Sequence, residues 1–206
     1  MIYHIETQST REFLDDQDPF NPMIKKDDVP LYADDCPILL TTVASFQALN
    51  NALEAKHVAK INDYEQLRPC ILVKGRCHCT EIPKGYKNTI FGTNFFLLFK
   101  YTTNPDTSKP WDEDDWLYIM INETILRNVK KCTRCIFTTV DPNKGEKRKD
   151  GEPLKTLKEI RVSSDPEVKE AHGNGAPYYG IFLGVNHTGD TIHQEDHVKV
   201  IRQSKN

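Results

Sequence analysis

Two cysteines three positions apart, Cys132 and Cys135, are the residues in this chain best suited to chemistry. They sit at the head of a run from Lys130 to Arg161 that packs thiols, bases, a turn and a helix-like stripe close together. Lys130, Lys131 and Arg134 flank the pair. A positive charge beside a thiol stabilises the thiolate, which is the form that attacks electrophiles and binds soft metals. The stretch therefore reads as a redox or soft-metal centre.

Spacing alone leaves four readings open. A thioredoxin-like dithiol wants its cysteines at a helix N-terminus. Here Ile136 to Val140 follow, a β-prone run that predicts a strand. A structural zinc site needs four ligands, and Cys77, His78 and Cys79 could complete one with the pair. Two inert thiols at a strand start, or a metal site using one thiolate, are the other two.

Composition narrows the setting. The chain has 206 residues, 38% hydrophobic and 28% charged, with a net charge of −3. That is the profile of one large globular domain, without the basic footprint of a nucleic-acid binder. The one tight basic run, Lys147-Arg148-Lys149, lies in a polar loop and reads as solvated. Six cysteines, at 36, 70, 77, 79, 132 and 135, are too few for a disulfide scaffold of this length. A reducing compartment follows, so the Asn-x-Thr triplets at Asn122 and Asn186 are expected to be idle. No signal peptide is apparent, and the apolar patch Phe95–Phe99 is too short to cross a bilayer.

The elements that must position the cysteines are short. Strands are expected at 2–6, 37–41, 68–74, 116–121, 125–131, 136–140, 179–185 and 198–201, with Asn122-Glu123 turning a hairpin. Phe46, Leu49, Ala52 and Leu53 share one helical face, so 43–57 is a helix capped by Thr42, with His57 at its C-terminal end. Leu154, Leu157 and Ile160 mark a second helix over 153–161. Asp141-Pro-Asn-Lys-Gly145 is a turn. Residues 10–35 are polar and proline-broken, a surface loop. The passage 76–110 shows no periodicity and reads equally as an evolved loop or a retained intron. Many short strands, few helices and no βαβ rhythm predict a mainly β fold, a mixed or antiparallel barrel.

The run Cys132-Thr-Arg-Cys-Ile-Phe-Thr-Thr-Val-Asp-Pro-Asn-Lys-Gly145, with Glu152-Pro-Leu-Lys-Thr-Leu157 and Arg161, closely resembles the signature of MOSC domains. Within them it is most similar to the mitochondrial amidoxime-reducing components. Tyr32 to Leu40, Leu67-Arg-Pro69, Asp114-Asp-Trp116, Pro177 to Leu183 and Asp196 to Val198 extend the resemblance over most of 31–75 and 111–201. It implies a MOSC-type β-barrel over 12–203, interrupted at 76–110, with 1–11 a remnant of the family's N-terminal region.

The resemblance implies a molybdenum atom held by molybdopterin, with Cys135 as its protein ligand and Cys132 as a neighbour. Asp34, Asp35, Cys36, Arg68, Thr133, Arg134 and Phe182 would contact the cofactor, and Asp34 would donate a proton. The implied reaction is reduction of amidoximes and hydroxylamines, with electrons from cytochrome b5 and NADH-cytochrome b5 reductase. The implied location is the mitochondrial outer membrane, although the family's anchor and phosphate-binding N-terminal groups have no counterpart here. A form without that anchor is expected in the cytoplasm. Cys70 stands where asparagine is usual after Arg-Pro, and Phe182 where tyrosine is frequent. The alternatives are a cofactor-poor MOSC fragment acting as a carrier, or a relative of cofactor sulfurases, whose pyridoxal phosphate belongs to another domain.

Overall fold

The computed structural model describes residues 36–74, 79–81, 109–162, 169, 175–186, 189–193 and 196–202. The strand expected at 2–6, the loop expected at 10–35, and the residues Asp34, Asp35, Cys77 and His78 lie outside them. Seven strands form one mixed sheet: β1 (Ile38–Thr42), β2 (Ile71–Val73), β3 (Cys79–Glu81), β4 (Trp116–Ile121), β5 (Thr124–Thr133), β6 (Tyr178–Val185) and β7 (Val198–Arg202). Their order is β2-β1-β6-β5-β4-β7-β3. The mainly β fold with two helices expected from the sequence is what forms.

Helix α1 (Val43–Ala55) starts where Thr42, in extended backbone, accepts the Ser45 amide on its side-chain oxygen. Phe46, Leu49 and Leu53 are its buried face, as their spacing predicts. The helix carries the chain from β1 to β2, which lie parallel and adjacent. One βαβ crossover is thus present where the sequence suggested none. Helix α2 (Leu154–Ile160) packs Leu157 into the same layer as Leu49, Leu53, Leu67 and Tyr179. A separate buried cluster takes in Leu40, Trp116, Ile119, Leu126, Ile181, Leu183 and Val200 of the sheet. Strand β6 is buried along nearly its whole length, which explains its near-continuous apolar sequence.

Part of the irregular passage joins the sheet: β3 pairs parallel with β7, Cys79 opposite Val200. A second correction concerns Ile136 to Val140. These residues do not form a strand; Ile136–Thr139 make a single 3-10 turn. The Thr138 hydroxyl donates to the Cys135 carbonyl at 2.9 Å and the Thr139 hydroxyl to the Ile136 carbonyl at 2.7 Å. Such local side-chain bonds compete with a sheet ladder, and threonine's strand preference loses to them here.

Two irregularities shape the β5–β6 pair beside the cysteines. Asn128 faces Leu183 and Lys130 faces Phe182, so Val129 is an extra residue in β5. Lys131 faces Ile181 and Thr133 faces Tyr178, which leaves an extra residue in β6 opposite Cys132. Bulges of this kind bend a strand and re-aim its side chains. Val129 and Cys132 both end up buried in a small cluster with Cys36, Leu39 and Phe182. Gly180 permits the second bulge: its φ is +76°, and a Cβ there would lie 2.6 Å from the Leu40 carbonyl oxygen.

Candidate functional site

The two cysteines of the motif face different environments. Cys132 is buried at the end of β5, whereas Cys135 is exposed. They are no symmetric dithiol. Arg134 lies between them and turns inward. Its guanidinium donates from Nη1 to Cys132 Sγ at 3.0 Å and from Nη2 to the Leu67 carbonyl at 2.7 Å. Its amide donates to the Pro177 carbonyl at 2.7 Å. One residue thus ties the end of β5 to the Tyr64–Leu67 turn and to the approach of β6. Among the described residues its buried Nε has no hydrogen-bond partner.

Cys135 itself is held through its backbone. It precedes the Ile136–Thr139 turn in extended conformation, and its carbonyl accepts from both the Thr138 amide, at 3.2 Å, and the Thr138 hydroxyl. The far side of the turn is gripped by Gln66, whose Nε2 donates to the Thr138 carbonyl at 2.9 Å. Past Val140, Asp141 stops the chain: its Oδ1 accepts the Asn143 and Lys144 amides, and Gly145 takes φ +67°. An exposed thiol on so tightly bonded a turn is an accessible soft donor in a fixed position.

The remaining sequence candidates separate by their burial. Cys36 and Phe182 share the buried cluster with Cys132. Phe182 sits directly opposite Lys130 and Leu39. Thr133 is half-buried opposite Tyr178. Arg68 is exposed and holds a left-handed backbone, φ 55°, immediately before Pro69. It follows Leu67, so Arg134 links it to the motif. A non-glycine residue in that region costs on the order of 1 kcal/mol or more. Asp34 and Asp35 lie outside the described residues. Lys131, expected beside the thiols, instead pairs with Asp114 at 3.3 Å.

A zinc site shared with the CxC segment conflicts with the topology. Cys79 lies on β3, three strands from β5, which is about 14 Å at the usual strand spacing. Among the described residues no group of three or more histidine, cysteine or acidic side chains converges to hold a metal.

Behind the turn lies a polar cluster that the sequence did not announce. Glu113 is fully buried. Its Oε2 accepts from the Thr42 hydroxyl at 3.1 Å and the Ser45 hydroxyl at 2.9 Å, while Ser45 Oγ accepts the Trp111 amide at 2.8 Å. Among the described residues its Oε1 has no partner. Burial therefore raises its carboxyl above the ordinary range, against the lowering effect of the two hydroxyls. Tyr179 is also buried, and burial raises its phenol against the lowering effect of the Thr41 hydroxyl. Next to them Asp114 takes Arg161 at 2.6 Å, and the Arg161 guanidinium lies 4.5 Å from the centre of the Trp111 ring. Nothing in the Asp112–Asp115 sequence distinguishes these acids from a solvated run. Apart from Lys131, the partners of Glu113 and Asp114 named here lie 47 to 71 positions away.

Comparison with known proteins adds the family context. The family model for the MOSC domain matches residues 27–199. Mitochondrial amidoxime-reducing component 1 of Xenopus laevis is 32% identical over 167 residues, covering 81% of this chain and 37% of that protein. Its Danio rerio counterpart is 31% identical over 173 residues, 84% of this chain and 41% of that one. Mitochondrial amidoxime reducing component 2 of Bos taurus is 29% identical over 168 residues, 82% and 38% respectively. The chain spans well under half the length of these curated relatives. Among the described residues, no helix is long and apolar enough to cross a membrane.

Proposed function

The chain belongs to the MOSC domain family, and from that premise we propose that it is an oxidoreductase that reduces N-hydroxylated compounds at a molybdenum cofactor bound through Cys135. The observation that carries this reading is the inequality of the two cysteines. Cys135 is exposed on a rigid turn, while Cys132 is buried against Arg134. The names of the matched relatives supply the substrate class.

The residues present fit a molybdopterin-bound metal. Cys135 offers the soft thiolate that such a metal favours. Arg68 offers an exposed guanidinium suited to an anionic group. Arg134 offers a buried Nε–H that lacks a partner among the described residues. When bound, the cofactor supplies a two-electron redox couple; the protein supplies binding and orientation. Reduction of an N-hydroxyl group takes two electrons and two protons and releases water. In this reading Arg134 fixes the motif, and the Thr138 and Gln66 bonds keep the Cys135 backbone from shifting. Cys36, Thr133 and Phe182 shape the inner wall, and Asp34 and Asp35 contact the cofactor, with Asp34 holding the proton. Electrons come from cytochrome b5 and its NADH-dependent reductase, and the protein acts at mitochondria, as the relatives' names suggest.

The reading is tested by reduction of benzamidoxime with cytochrome b5 and its reductase. Cys135→Ser is expected to abolish turnover and Cys132→Ser to impair it. Equal losses in both variants would point to a shared dithiol, and full activity in Cys135→Ser would overturn the assignment.

A further inference from the structure

Directly after Cys135 come the two most exposed large apolar side chains among the described residues, Ile136 at 50% and Phe137 at 63%. Their exposure is not that of a loose loop. They begin the turn whose carbonyls are tied back by Thr138 and Thr139 and whose far side is gripped by Gln66. Consecutive Cα atoms are about 3.8 Å apart, so both residues start within roughly 8 Å of the Cys135 backbone. A rigid apolar ledge therefore adjoins the Cys135 backbone.

We infer that Ile136 and Phe137 set substrate preference, taking the apolar body of an N-hydroxylated substrate, an aryl or alkyl group, while the N–O end points to Cys135. This rests on the reading that Cys135 is the reaction centre. The size of the ledge selects this occupant over a protein partner. Its exposed apolar area is roughly 200 Å², given the usual area of such side chains. A standard protein interface needs about 800 Å² on each partner, whereas one face of a benzene-sized ring is covered by far less. The ledge carries no charge of its own, so it offers nothing to a small polar N-hydroxy compound.

Ligand-observed NMR on the 206-residue chain, with no electron donor present, measures this without turnover. Benzamidoxime is expected to bind about tenfold more tightly than acetamidoxime, the difference that covering part of such a ledge supplies. Phe137→Ser, at a side chain exposed enough for the fold to tolerate the change, is expected to bring the two ligands within about twofold. Ile136→Ser should reduce the gap partway. Equal binding of the two amidoximes to the unmodified chain would overturn the inference, as would an undiminished preference in Phe137→Ser. The outcome is separable from the oxidoreductase reading. A ledge-dependent preference without reduction of benzamidoxime would remove the activity and keep the ledge. Reduction of both amidoximes with no binding preference would do the reverse.

Discussion

Replacing Arg134 by leucine tests the arrangement around the motif most severely. The change deletes the bonds to Cys132 Sγ at 3.0 Å and to the Leu67 carbonyl at 2.7 Å. Bonds to a charged donor contribute about 1.5–3 kcal/mol each. The carbonyl bond belongs near the top of that range, because its acceptor would be left without a donor. The sulfur bond belongs at or below the bottom, since sulfur is a weak acceptor. Against this, leucine also removes the buried Nε–H that has no partner among the described residues, which returns about 1–3 kcal/mol. The net loss is about 2 kcal/mol. For a chain of 206 residues that lowers the midpoint of thermal unfolding by about 4–8 °C. Calorimetry measures the shift, and the rate of Cys135 alkylation under native conditions reports whether the turn loosens locally. Arg134→Lys should keep part of the stability, since one ammonium reaches the carbonyl but lacks the planar fork. A midpoint within 1 °C or so of the unmodified chain, with unchanged alkylation of Cys135, would refute the view that Arg134 anchors the motif.

Three further outcomes follow from the same contacts. Glu113 is ionised less readily in the folded chain than in the unfolded one, because burial raises its carboxyl; its contribution is most favourable below the unfolded value of about 4.3 and is lost as pH rises through the raised folded value. Glu113→Gln should therefore gain stability relative to the unmodified chain as pH rises above about 4.3 through the raised folded value, and keep that gain beyond it, in thermal melts; a gap that shrinks with rising pH would contradict this. Gly180→Ala forces φ +76° on an L side chain and puts its Cβ 2.6 Å from the Leu40 carbonyl. The expected cost is about 4 kcal/mol from strain and overpacking together, read as loss of soluble yield or a fall in unfolding midpoint of 10 °C or so. Asp114→Ala leaves the partly buried Arg161 guanidinium without its carboxylate and should cost about 2 kcal/mol in chemical denaturation, whereas Glu54→Ala, at an exposed pair with Lys60, should change little.

Much of this was legible in the sequence where local patterns decide the structure. The helix over Val43–Ala55 shows itself through Phe46, Leu49 and Leu53 at helical spacing and through Thr42 as cap. The hairpin of β4 and β5 shows itself in two apolar runs flanking Asn122, which takes φ 52° at the turn. Where side chains act across long separations, the pattern is silent. Ile136 to Val140 has strand composition, yet Thr138 and Thr139 spend their hydroxyls on carbonyls three residues back. Glu113 sits in an acidic run that suggests solvent, yet it is buried because Thr42 and Ser45 are brought to it by the fold. Arg134 is flanked by thiols in the sequence, and only the approach of Leu67 shows that it faces inward. The same approach separates Cys132 from Cys135, which spacing alone could not do.

Metal analysis decides whether Cys135 holds a molybdenum cofactor. The chain and its Cys135→Ser and Cys132→Ser variants would be purified from a host that makes the cofactor, and molybdenum and pterin measured per chain. Nearly stoichiometric molybdenum is expected in the unmodified protein, with retention in Cys132→Ser and loss of the metal in Cys135→Ser. Absence of molybdenum and pterin from the unmodified protein, or equal metal content in all three, would contradict that assignment.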